Sequence, residues 1–77
     1  MEYLKKVCFL NEKTNKNYEI RIVTLINGQI ECRVFESGST ELAINPLVLD
    51  DITFEAFSKN DNQNLIEHFD KEIDKHN

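Results

Sequence analysis

In 77 residues this chain has no tryptophan, one proline, two glycines, two cysteines and one methionine. Each shortage excludes something. Two glycines cannot build the glycine-rich loops that bring backbone N–H groups up to a nucleotide phosphate, and neither a Walker-type nor a dinucleotide-type pattern occurs. So little Gly and Pro, with no low-complexity run, argues against a disordered or fibrous chain. At 40% hydrophobic and 30% charged residues the composition is that of a folded globular domain. No apolar stretch approaches the roughly 20 residues that cross a bilayer. The opening "MEYLKKVCFLNEK" holds an apolar run of only residues 7 to 10, too short for the core of a signal peptide. The expectation is a cytoplasmic protein with no membrane contact. Cys8 and Cys32 lack Cys-x2-Cys spacing and any small-scaffold disulfide pattern, so they read as reduced, partly buried thiols.

A chain of this size forms one domain, because it buries only about 60% of the surface its unfolded form exposes and cannot support two cores. A roomy internal active site is not expected. The usage of seven Lys, two Arg, nine Asn and eight Ile is what A+T-rich coding produces, pointing to a low-G+C bacterium or one of its phages.

Charge is unevenly placed. Residues 1 to 46 carry six acids and six bases and sum to zero, whereas residues 47 to 77 carry eight acids against three bases and hold the whole net charge of -5. Nucleic-acid affinity depends on Lys and Arg neutralising phosphates. Direct nucleic-acid binding is therefore not expected, and a protein partner with a basic surface is.

The first half reads as β. "YLKKVCFL" (3 to 10) is rich in strand formers and "EKTNKN" (12 to 17) makes a polar turn. In "YEIRIVTLI" (18 to 26) Tyr18, Ile20, Ile22, Thr24 and Ile26 alternate onto one face, and Asn27-Gly28 is a strong hairpin signal. A three-residue loop with a bulge pairs Ile26 with Ile30, Thr24 with Cys32 and Ile22 with Val34, gathering the apolar residues on one face. "QIECRVFE" (29 to 36) is then the third strand. "SGST" (37 to 40) turns the chain, "ELAI" (41 to 44) is a short fourth strand, and Asn45-Pro46 ends it. Phe35, beside Val23 and Leu25, falls on the second face, where it reads as core beneath residues 47 to 57 or as a pairing surface.

The second half supplies a cover. Residues 49 to 59 favour a short helix capped by Asp50 or Asp51, and "NLIEHFDKEIDKH" is a longer one whose stripe is Leu65, Ile66, Phe69 and Ile73. The fold class is α+β: a small antiparallel sheet of three or four strands in a meander (1 to 46), covered by one or two C-terminal helices in an acidic segment (47 to 77).

The same wheel tests for chemistry. His68, Glu72 and His76 follow one another at i,i+4, but the row drifts about 40° per step and lacks a converging further ligand, so no metal site is assigned. Asp50 and Asp51 point to different sides, and a mid-strand thiol facing a core is a poor nucleophile. Neither an enzyme nor a cofactor is expected. What remains is an acidic surface, with Glu67, Asp70, Asp74, Asp50, Asp51 and Glu55 as the candidate partner-binding residues. In size and charge the chain is similar to small phage-encoded inhibitors of bacterial defence, such as anti-CRISPR proteins. That resemblance implies a non-enzymatic inhibitor that blocks a basic nucleic-acid-binding site on a host protein. The alternative is a small regulatory or accessory domain that homodimerises through its sheet, its acidic surface passive.

Overall fold

Alternation and strand formers carry the first half of the chain into a sheet. In the computed structural model, which describes residues 2–59 and 61–76, β1 spans Glu2–Asn11, β2 Lys16–Thr24 and β3 Ile30–Glu36, all antiparallel in the order of the chain. The first turn closes where Asn15 takes a left-handed conformation (φ 58°), which Asn tolerates better than most residues, and its N–H donates to the Asn11 carbonyl.

The β2–β3 hairpin keeps the expected loop length and moves one residue towards the N-terminus. Leu25 and Gln29 close it, the Gly28 N–H donates to the Leu25 carbonyl, and Gly28 sits at φ +86°, the geometry of a turn followed by a left-handed bulge residue. Thr24 consequently pairs with Ile30 and Ile22 with Cys32, not Ile26 with Ile30. A slip of two positions in pairing leaves every side chain on its expected face. Its one casualty is Ile26, which moves from the apolar stripe to the loop tip and is 98% exposed.

The fourth strand is not at 41 to 44. Leu42 makes an isolated bridge to Phe35, and regular pairing resumes only after Pro46, where β4 (Leu47–Leu49) adds to β3 by pairing Leu49 with Ile30 and Leu47 with Cys32. Proline has no N–H to give a ladder, so the edge is interrupted at Asn45-Pro46 and restarts with a changed register. The sheet order is β1-β2-β3-β4, with the last strand drawn from the segment expected to be helical.

Two helices follow, α1 (Asp51–Phe57) and α2 (Gln63–Lys75). In α2 three residues of the expected stripe are buried, Leu65, Phe69 and Ile73, against Phe9, Tyr18, Ile20, Ile22, Cys32 and Val34 on the inner face of the sheet, and the fourth, Ile66, is partly buried at its edge. Each such side chain contributes about 1.5–3 kcal/mol of burial. Seven residues are too few for a stable isolated helix. Accordingly α1 is held by Phe54 and Phe57, partly buried on the same core, and by its cap, the Asp50 carboxylate accepting from the Thr53 N–H at 2.7 Å.

Three hydrogen bonds orient α2. At its start Lys5 Nζ donates to Asn62 Oδ1 (2.6 Å), and at its end Asn11 Nδ2 donates to Asp70 and Asp74. Six strand residues span about 20 Å, and the twelve helical steps between Asn62 and Asp74 span about 18 Å. The helix therefore runs beside β1 in the same direction.

Phe35 is not core beneath residues 47 to 57. That segment packs on the inner face, whereas Phe35 points to the outer one with Val23 and is covered by Arg21, whose guanidinium carbon lies 4.3 Å from the ring centroid. Cys8 also lies on the outer side and is exposed, while Cys32 is in the core; both thiols are free.

Candidate functional site

Helical spacing divides α2 into an apolar pole, two flanks and an outer pole, and the structure gives each a different neighbour. One flank carries Asp70 and Asp74, both half-buried, which accept from Asn11 Nδ2 across 2.6 and 3.0 Å. Asn11 is only 1% exposed, and its Oδ1 accepts in turn from the N–H and hydroxyl of Thr14. Two of the six expected partner-binding acids thus join α2 to β1 and do not face outward. The wheel angle shows that they lie beside the stripe; it does not show that β1 ends there.

The opposite flank carries His68, Glu72 and His76. These line a cleft of about 120 Å³ with Ile44, Asn45, Pro46 and Leu47. The His68 ring meets Phe57 and Phe69 edge-on, at centroid separations of 5.2 and 5.1 Å. The hydrogen bond from Lys75 and the charge of that ammonium hold the Glu72 carboxyl below its ordinary value, with smaller pulls from His68 and His76. Among the described residues no three His, Cys, Asp or Glu converge on a point where a metal could sit. The outer pole of α2 holds Glu67 together with Lys71 and Lys75, all exposed, so it is not strongly acidic.

A group of exposed acids lies on α1 and at its cap. Asp50, Asp51 and Glu55 are all exposed, the helix contains no basic residue, and none of its residues is fully buried. Hydrogen bonding from Thr53, side chain first and then backbone, holds the Asp50 carboxyl below its ordinary value. Asp61, in the turn to α2, adds a further exposed carboxylate not picked out from sequence. Over residues 50 to 61 four acids face one base, Lys59. Ile52, 81% exposed, stands among them.

The sheet's outer face is different in kind. Lys6 and Arg21 both reach Glu19, at 3.9 and 3.2 Å, and Arg33 pairs with Glu31. Three cations there share two carboxylates over Val23 and Phe35, and about half-exposed Tyr3, Leu10, Leu42 and Val48 surround them. Arg21–Glu19 and Arg33–Glu31 each join residues two apart on one strand, which alternation puts on the same face, and only Lys6 reaches Glu19 across the β1–β2 register.

The buried Cys32 thiol is not set up for nucleophilic work. Burial, and next the charge of Glu31, push the Cys32 thiol up to about 11, so it stays protonated at neutral pH. No helix among the described residues is long and apolar enough to cross a membrane. Comparison with family models, with curated proteins and with solved structures finds no match to this chain.

Proposed function

We propose that this protein is a non-enzymatic binding module that docks its helical layer, centred on α1, against a basic surface of another protein. In its sharpest form it occupies a site that otherwise holds nucleic acid, as a small phage-type inhibitor of a host defence protein would. The observation that carries this reading is the contrast between the two sides of the molecule. The sheet's outer face pairs its carboxylates Glu19 and Glu31 with cations, whereas Asp51 and Glu55 stand exposed on a helix with no base and no fully buried residue. Uncompensated carboxylates of this kind steer a cationic partner to a fast, salt-sensitive encounter and repel phosphate.

Affinity capture from host lysate tests it, using the protein and a Glu55→Lys, Glu67→Lys form at low and high salt. The expected result is a nucleic-acid-binding protein retained by the first form at low salt, lost by the second, and released from its nucleic acid by the bound module. Capture indifferent to salt and to charge reversal would remove the electrostatic reading.

A second reading, pairing of two copies through the sheet, is favoured by one specific feature. Tyr3, Leu10, Leu42 and Val48 leave apolar surface on a face that no described element covers. Light scattering on the intact protein, with and without Leu10→Lys, separates a dimer held by that face from a monomer.

A further inference from the structure

Between α1 and α2 runs a groove of about 270 Å³, lined by Thr53, Ala56, Phe57 and Asn64. Asn64 Nδ2 lies 3.4 Å from the Ala56 carbonyl and joins the two banks. Ile52 precedes Ala56 by one helical turn, so the two extend the apolar strip along the α1 bank. Glu55 follows Ile52 by three positions and Asp51 precedes Glu55 by four, which places an acidic row directly beside the strip. On the α2 bank Glu67 lies one turn beyond Asn64.

An apolar slot beside a row of carboxylates selects its occupant. Cofactor and ligand pockets hold about 300–1,000 Å³ and orient their guests with several polar groups; this groove is smaller and its walls are largely apolar. Nucleic acid and anionic headgroups would meet Asp51, Glu55 and Glu67 with like charge. A cationic protein segment that offers one aliphatic side chain meets both requirements, since an anchor buried in a slot dominates affinity while the charged rim sets orientation and on-rate.

We propose that the α1–α2 groove seats one aliphatic side chain of a Lys/Arg-rich protein segment, the flanking cations facing Asp51 and Glu55 on the α1 bank. This rests on the reading that a basic partner is bound, and it names how that partner is read.

The probes are a fluorescent Lys/Arg-rich peptide with one central leucine and its counterpart with serine in place of that leucine, titrated into the full chain by anisotropy at low salt. The leucine peptide should bind at least about tenfold more tightly, the effect of one well-buried aliphatic side chain. Its amide shift changes should centre on Thr53, Ala56, Phe57 and Asn64. Ala56→Leu, which fills the groove at an exposed helical position, should erase that tenfold difference. Asp51→Asn with Glu55→Gln should weaken both peptides alike. Equal binding of the two peptides, with salt sensitivity kept, would overturn the groove and leave the acidic reading standing. Failure of both peptides to bind at low salt would overturn the two together.

Discussion

Asn11 and Asp70 lie 59 positions apart in the chain and 2.6 Å apart in space, amide nitrogen to carboxylate oxygen. Through that contact, and the companion bond to Asp74, the end of β1 holds the second half of α2 in place. On its other side the same amide accepts from Thr14, whose hydroxyl is 3.1 Å from that of Tyr18. A nearly inaccessible polar side chain thus has its carbonyl oxygen and amide nitrogen occupied, as burial demands.

Asn11→Ala should therefore cost about 2 kcal/mol, the effect of removing a buried hydrogen-bonding hub and leaving charged acceptors without their donor. Urea unfolding measures it, with a lower midpoint and an unchanged slope. Asn11→Asp should be worse at pH 7, because it places a third carboxylate beside two.

The thiols should separate cleanly. A thiol reagent at pH 8 should label Cys8 at once and Cys32 only on unfolding, since the first is exposed and the second is buried and pushed up to about 11. A value raised by folding means that the folded state holds its proton more firmly than the unfolded state. This contribution to stability is full below the ordinary value of 9.0 and is lost as pH rises from there through about 11. Unfolding midpoints followed through that window should fall, and Cys32→Ala should remove that component of the fall.

Asp50 works in the opposite direction. Its carboxyl lies below its ordinary value of 3.8 because it accepts hydrogen bonds from Thr53. The cap's contribution is therefore present above pH 3.8 and is lost as pH falls through the lower folded value. Asp50→Ala should raise amide exchange rates across residues 51 to 57 at neutral pH while residues of α2 stay protected. Equal acceleration in both helices would show that α1 does not open by itself.

Two phenylalanines of identical chemistry should differ in cost. Phe69 is 1% exposed in the shared core of α2 and the sheet, so Phe69→Ala should cost about 3–5 kcal/mol and leave little of a small domain's stability. Phe35 lies on the outer face under Arg21, where solvent can fill the space the ring leaves. Phe35→Ala should cost about half as much. Thermal melts of the two variants make the comparison.

Much of this architecture is legible in local spacing. The alternation in residues 18 to 26, the Asn27-Gly28 turn and the Leu65, Phe69, Ile73 stripe each record which side of an element is apolar. Those three features were enough for an antiparallel meander with a helix laid on it. A capping aspartate at 50 or 51 likewise places the start of α1 to within a residue, and the structure assigns the cap to Asp50, whose side chain satisfies an N–H three residues on.

What faces what was decided elsewhere. Periodicity is invariant to a two-residue slip, so it could not tell whether Ile26 pairs in the ladder or hangs at the loop tip. Nor could it show that the edge strand would restart after Pro46, since Leu47–Leu49 is apolar in either a strand or a buried helix start. The wheel put Asp70 and Asp74 off the stripe, and only the arrival of Asn11 from a strand 59 residues earlier turned them inward. Sequence by itself determined β1 to β3, the two helices and their apolar faces, because those depend on neighbours within a few residues. Tertiary structure decided which acids stay free, because a carboxylate's partner is chosen by whatever donor the fold brings within 3 Å, whatever the distance along the chain.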